Sequence, residues 1–482
     1  MNYRMIFNII GKIVCVEAVF MLPALLISLF RGEGAAVTGI AAAMAAAAAV
    51  GLPFVLWKPA KKTMYARDGF ITVALTWIIV SAVGALPFLI SGAIPNYIDC
   101  LFETVSGFTT TGASILFEVE SLPFGLLYWR SFTHWLGGMG VLVFVLALSP
   151  LTAKDSGESM HLLRAESPGI RITKLVPRMR RSASILYTIY IVLTVVQIVL
   201  LLLGRMPVFD AVTLSFGTAG TGGFGIKNDS IASYSPYCQW IIAIFMIVFG
   251  INFNIYYLLL IRRFSKALKN EELRLFIAIV LISTAAIAVN TAGRFDTIEE
   301  TVRTAFFQVS SIISTTGYGT ADFNLWPQIS KMILLALMFV GGCAGSTGGG
   351  AKVVRILLMF KAAKASIYRV LHPNSLKLLH MDGEVIDDDT AASVNSYMML
   401  YFIIIALVTL LVSFDGESLE TTFTAVVSCV NNIGPGLDAV GPASNFSLFS
   451  PVSKLVLTVS MLIGRLEIYP ILILMSPSIW KK

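Results

Sequence analysis

Charge is what this chain has least of. Asp, Glu, Lys and Arg make up only 13 % of its 482 residues, which leaves little material for a soluble domain. Histidine occurs four times, and His134 has no partner motif around it. Pairs of Asp or Glu are missing from the apolar runs, so the acid–base sets an intramembrane enzyme would need are lacking. The five cysteines (Cys15, Cys100, Cys238, Cys343 and Cys429) fall at no metal-ligand spacing, and only a disulfide between Cys100 and Cys238 is left open. A nucleotide-binding loop is also missing. The richest glycine run ends at Gly350 and is followed by Ala351, where G-x-x-x-x-G-K-[ST] demands Lys and then Ser or Thr.

What the chain has instead is length and apolarity. With 56 % apolar residues and a mean hydropathy of +0.81, it reads as a polytopic membrane protein. Ten apolar runs, near 11–30, 35–57, 70–91, 126–149, 184–203, 238–261, 275–290, 330–341, 393–412 and 452–475, are mostly close to the roughly 20 residues that cross a bilayer. The run 11–30 is flanked by Arg4 and Lys12 as a signal peptide would be. No small-residue cleavage pattern follows it, which predicts a retained span.

A net charge of +7 raises the question of nucleic acid, and the placement of Lys and Arg answers it. The loops 58–68 (Lys58, Lys61, Lys62, Arg67), 151–183, 261–274 and 360–392 (Lys361, Lys364, Arg369, Lys377) hold twenty basic residues. The intervening loops hold five: Arg31, Arg205, Lys227, Arg294 and Arg303. This asymmetry predicts basic loops and both termini on the cytoplasmic side, against anionic lipid, with no nucleic-acid partner.

Four short polar stretches interrupt the apolar pattern: VSGFTTTGAS, LSFGTAGTGGFG, VSSIISTTGYGT and VSCVNNIGPGLD. Their critical glycines, Gly112, Gly223, Gly317 and Gly434, recur in units of about one hundred residues. In the second stretch Gly222 is an adjacent alternative to Gly223, and the fourth carries Asn432 and Ile433 where others carry threonine or glycine. Upstream of each lies an acidic residue (Asp99, Asp210, Glu300, Glu420), suited to the N-terminus of a helix of about three turns. Such a helix covers half a membrane, so each must dip in and return. The run Ser314-Thr315-Thr316-Gly317-Tyr318-Gly319 approaches the T-V-G-Y-G pattern whose carbonyls replace a potassium ion's hydration shell. The layout predicts a two-span preface, 1–68, and four units, 69–183, 184–273, 274–392 and 393–482. The fold class is all-α, potassium-channel-like, with four pseudo-symmetric units around one pore.

On these motifs the chain resembles the Trk/Ktr/HKT superfamily of potassium transporters, in its bacterial TrkH branch, over essentially its full length. The resemblance implies a potassium uptake protein of the bacterial inner membrane, not an enzyme. Potassium would be bound in a filter formed by Thr110, Thr111 and Gly112; Gly220, Thr221, Gly222 and Gly223; Thr315, Thr316 and Gly317; and Asn432, Ile433 and Gly434. It further implies a homodimer docked on a cytosolic ring of nucleotide-binding RCK (TrkA-like) subunits, and sodium permeation where serine stands in the first loop.

Two features lie beyond the loops. The stretch 341–350 has six glycines (Gly341, Gly342, Gly345, Gly348, Gly349 and Gly350) inside the expected second span of the third unit. Glycine costs about 1 kcal/mol per position in a helix interior, so that span should break there, as a flexible gate or a passive kink. Arg465 falls near mid-membrane in the last span, with Glu467 close in sequence but off its helix face. The resemblance places Arg465 in the pore below the filter; a role neutralising backbone carbonyls is the alternative. Energy would come from the membrane potential. A sodium-permeable pore or an ion-coupled cation carrier with a midplane site is the rival reading.

Overall fold

The computed structural model describes residues 2–57, 65–140, 179–373 and 378–477. Lys58, Lys61, Lys62, Lys377, Arg178 and loop 151–183 as far as residue 178 lie outside the described residues. So does the run 126–149 beyond Gly140, and the side chains of Arg180 and Arg181 are likewise not described.

The preface is a helical hairpin. Helices Tyr3–Phe20 and Leu22–Arg31 make one 29-residue span, which turns at Gly32, whose φ of +73° suits glycine. It returns as Gly34–Leu56. Ala36, Gly39, Ile40, Ala43, Ala47 and Gly51 recur every three or four residues and are buried, forming a small-residue stripe. The packing is tight enough that a Cβ on Gly11 would lie 2.8 Å from the Gly51 carbonyl. The preface also caps the first unit. Glu33 accepts from the backbone N–H of Phe124 (2.6 Å) and Gly125 (3.2 Å), placing a carboxylate at a helix N-terminus.

Each of the following units repeats one order: a long first helix, a short re-entrant helix, a glycine loop and a second helix. The first helices are Ala66–Gly84 (continued by Leu86–Ile90), Met179–Leu203, Glu271–Thr291 and Asp388–Val412. The re-entrant helices are Tyr97–Phe108, Val208–Gly220, Ile298–Ile313 and Leu419–Asn431, each with an acidic residue in its first turn. Asn96, Thr297 and Ser418 cap three of them through side-chain oxygens. The second helices are Phe124–Gly138, Pro236–Gly250, Gln328–Val340 and Pro451–Arg465, each opened by a proline at or beside its first residue, where a missing N–H costs nothing.

The expected preface and four helix–loop–helix units are present, but not every span is one unbroken membrane-length helix. Among the described residues six helices are long and apolar enough to cross a membrane, seven if one bent pair counts as a span. The second helices stop after 13 to 15 residues. The break expected only in the third unit has counterparts elsewhere. The second unit bends by 90° between Gly250 and Phe253. The fourth breaks after Arg465, with Glu467 and Ile468 at φ of +54° and +71°. Apolar run length is blind to these breaks because the interrupting residues are themselves apolar or single. The all-α class holds apart from a small hairpin, Leu379–Met381 with Glu384–Ile386, in register Leu379↔Ile386. Asp382 and Gly383, both at positive φ, form its two-residue turn. Cys100 and Cys238, left open as a disulfide, are both free thiols.

Candidate functional site

The four re-entrant helices end in the same backbone device. The residue before each critical glycine donates its N–H to a carbonyl in the last helical turn: Thr111 to Ser106 (2.8 Å), Gly222 to Gly217 (2.8 Å), Thr316 to Ser311 (2.8 Å) and Ile433 to Ser428 (3.0 Å). The residue before that takes a left-handed conformation, at φ of 56° for Thr110, 56° for Thr221, 59° for Thr315 and 54° for Asn432. The glycines follow at 78° (Gly112), 75° (Gly223), 86° (Gly317) and 103° (Gly434), where a Cβ is strained. This equivalence resolves the register of the second loop in favour of Gly223 over Gly222. Gly220 ends its helix instead, where the missing side chain admits the His134 carbonyl.

The loops meet in a closed ring. A Cβ on Gly112 would collide with the Gly222 carbonyl oxygen, one on Gly223 with that of Thr316, and one on Gly317 with that of Ile433. The fourth junction is looser, with a Cβ on Gly434 reaching the Thr111 carbonyl at 2.9 Å. There Asn432 adds a side-chain bond, donating to Thr111 Oγ1 at 2.9 Å and to the Met461 carbonyl at 3.0 Å. That contact explains asparagine where other loops carry threonine. The helix C-termini bring partial negative charge to the ring from four sides, an arrangement that favours a cation.

Against the helix-end side of the third and fourth loops runs 341–350. Gly341 ends its helix at φ of 75°, and Gly350, at 78°, lies against it closely enough that a Cβ on Gly341 would sit 2.9 Å from the Gly350 Cα. The segment is thus a loop closed on itself. Gly349 N–H donates to Thr315 Oγ1 at 2.6 Å, and a Cβ on Gly348 would meet the Ser314 carbonyl at 2.8 Å. The Gly345 carbonyl accepts from Phe253 N–H (3.0 Å), and that of Gly342 from Val353 N–H (3.1 Å). Arg465, half-buried, joins this segment to the first unit. Its guanidinium donates to the Thr347 carbonyl (2.8 Å), Thr110 Oγ1 (3.1 Å), the Gly138 carbonyl (2.7 Å) and the Gly137 carbonyl. The four loops, the glycine segment and Arg465 are therefore linked by direct contacts.

Sequence reasoning missed the charges around them. Glu467 does not pair with Arg465; it forms an ion pair with Arg355, which also lies 3.9 Å from the Tyr397 ring centroid. Lys352, at φ of 73°, bonds the Gly348 carbonyl. Glu272 accepts from Ala344 N–H (2.6 Å) and Val354 N–H (3.2 Å), clasping both ends of the glycine segment. Glu103 and Arg130 form a buried ion pair at 2.7 Å behind the first two loops. Ionisable residues inside apolar stretches were the available signal, since they are expensive there unless they do something.

Fold and site together define an integral membrane protein of the channel-like cation transport class, with four re-entrant units around one axis. The comparisons agree. The family model for TrkH, described as a cation transport protein, matches residues 36–482. The chain is 36 % identical to the Trk system potassium uptake protein TrkH of Salmonella typhimurium and 35 % identical to that of Escherichia coli, in both cases over 100 % of each chain. Its fold matches the crystal structure of the potassium transporter TrkH from Vibrio parahaemolyticus with a TM-score of 0.88 and 31 % identity, over 100 % of both chains. The chain belongs to the TrkH family of cation transport proteins, a family of transporters rather than enzymes.

Proposed function

We propose that this protein takes up potassium across the bacterial inner membrane, as a Trk-type system, through a filter formed by the four glycine loops. The observation that carries the reading is the closed succession of glycines against carbonyls, Gly112 to Gly222, Gly223 to Thr316, Gly317 to Ile433 and Gly434 to Thr111. Backbone oxygens from four sides can replace an ion's hydration shell only if no side chain intrudes, and glycine meets that condition. The relatives are potassium uptake proteins and a potassium transporter, which supplies the ion.

Below the filter, the glycine segment 341–350 and Arg465 form the gate. The arginine combines the two roles left open by the sequence. It neutralises carbonyls of two units and, directly beneath Thr110, opposes a descending cation. Flow is passive and driven by the membrane potential, about 2.3 kcal/mol per charge per 100 mV. The basic loops and both termini face the cytoplasm, where a homodimer of the chain meets a ring of RCK-type, TrkA-like nucleotide-binding subunits.

Flux of potassium against sodium in proteoliposomes tests the reading. Preferential potassium uptake that tracks an imposed membrane potential supports it. Equal permeability, or uptake strictly dependent on a second ion, sinks it.

A further inference from the structure

We propose that the buried Glu103–Arg130 ion pair is a specificity-determining brace, two positioning residues that hold the outer ends of the first two glycine loops in register. The proposal rests on the filter reading above. The Arg130 and Glu103 side chains are 3 % and 0 % exposed and meet at 2.7 Å. Burying two charges costs several kcal/mol per ion, and apolar replacements are often as stable, so stability alone is a poor reason for such a pair. What the pair touches supplies a better one.

Glu103 sits on the first re-entrant helix and reaches the chain just beyond Gly112. Its Oε1 accepts from Ser114 Oγ at 3.0 Å and its Oε2 from Ile115 N–H at 3.0 Å. Arg130, on the following helix, reaches the equivalent place beyond Gly223, donating from Nη1 to the Gly225 carbonyl at 2.9 Å. One ion pair therefore ties the exits of two neighbouring loops together. The guanidinium also lies 3.5 Å from the Phe224 ring centroid, and that ring stacks on His134 at 4.1 Å. His134 in turn packs so closely on Gly222 that a Cβ there would collide with the imidazole. Glu103, Arg130, Phe224 and His134 thus form a continuous column behind the second loop, ending at the residue whose carbonyl meets Gly112.

The other units show that the position matters and that charge is special to this junction. At the register of Glu103 the third unit has Gln308, within hydrogen-bonding reach of Thr320 and Ala321, again just beyond its glycine. The second and fourth units have Leu214 and Ala425 at that register. A neutral amide suffices in the third unit, whereas the first and second loops are held by charge-assisted bonds, about twice as strong as neutral ones. Releasing them lets the two exits relax independently, so the carbonyls no longer keep one spacing and the smaller sodium ion is admitted.

The test compares potassium and sodium permeability in proteoliposomes for Glu103→Gln, Glu103→Asp and the double variant Glu103→Leu with Arg130→Met, with Gly112→Ser as control. Single neutralisation leaves a charge buried and unpaired, so poor assembly of Glu103→Gln is expected. The double variant should recover yield and thermal stability yet lose potassium preference by about tenfold, the scale of one charged hydrogen bond. Glu103→Asp, which keeps the charge, should fall between it and the parent. A merely structural pair would instead return parental selectivity together with stability. An assembled double variant, or an assembled Glu103→Asp beside a failed double, with a permeability ratio within about twofold of the parent overturns the proposal. If Gly112→Ser lowers the ratio while the double variant does not, only the brace fails; if neither lowers it, the filter reading fails as well.

Discussion

Removing the Arg465 guanidinium separates two kinds of obstacle. Among the described residues its guanidinium donates to oxygens in two places: Thr110, Gly137 and Gly138 in the first unit, and Thr347 in the glycine segment. As a fixed charge, at an effective dielectric constant near 20 and about 6 Å from a passing ion, it contributes on the order of 3 kcal/mol, roughly a hundredfold in rate. As a link, it holds the segment to the first unit by bonds worth about 1.5–3 kcal/mol each when charged. Arg465→Ala removes both and should raise basal potassium flux about a hundredfold. Arg465→Lys keeps the charge but loses the planar fork, so it should raise flux only about tenfold. Selectivity, set above, should not change in either. Reconstituted vesicles loaded with potassium and assayed without any nucleotide-binding subunit read all three quantities. Normal assembly with parental basal flux in both variants would refute the reasoning and leave Arg465 a structural cation.

Gly112→Ser places a side chain at φ of 78° against the Gly222 carbonyl, and should lower the potassium-to-sodium permeability ratio by roughly tenfold or more, given strain of about 1–3 kcal/mol at the site; an unchanged ratio in bi-ionic flux counts against the filter. Glu272→Gln leaves the clasp's shape but replaces charged bonds to Ala344 and Val354 N–H with neutral ones, so basal flux should rise several-fold, about 1 kcal/mol, with selectivity intact; parental flux would make the clasp irrelevant to gating. Charge reversal at Arg178, Arg180 and Arg181 should weaken co-purification with a nucleotide-binding subunit without altering the permeability ratio, and undiminished co-purification would place the docking surface elsewhere.

The parts legible in sequence were those written as local composition. Gly112, Gly317 and the six glycines of 341–350 stand out by residue type, and Gly112, Gly317, Gly341, Gly345 and Gly350 take a positive φ that side chains rarely adopt; the acidic residues announce the re-entrant helices. Register in the second loop was not legible, since Gly222 and Gly223 differ only in what surrounds them: the His134 ring against one, positive φ at the other. Long-range pairings escaped for a similar reason. Glu467 stands two residues from Arg465, yet finds Arg355 across the fold because the chain turns at Glu467 and Ile468. Glu103 and Arg130 are separated by a whole glycine loop, and only the re-entrant path of that loop brings them to 2.7 Å. The break in the second unit was hidden inside the apolar run Phe249-Gly250-Ile251, where hydropathy continues and the helix does not.

In the proposed function, four glycine loops cage a potassium ion with backbone oxygens. Anomalous diffraction from crystals in which rubidium or thallium replaces potassium tests it most directly. An ion is expected within the ring of Thr111, Gly222, Thr316 and Ile433, lost when sodium is the sole cation. An ion bound only at side-chain carboxylates elsewhere in the bundle, with the ring empty, would contradict it.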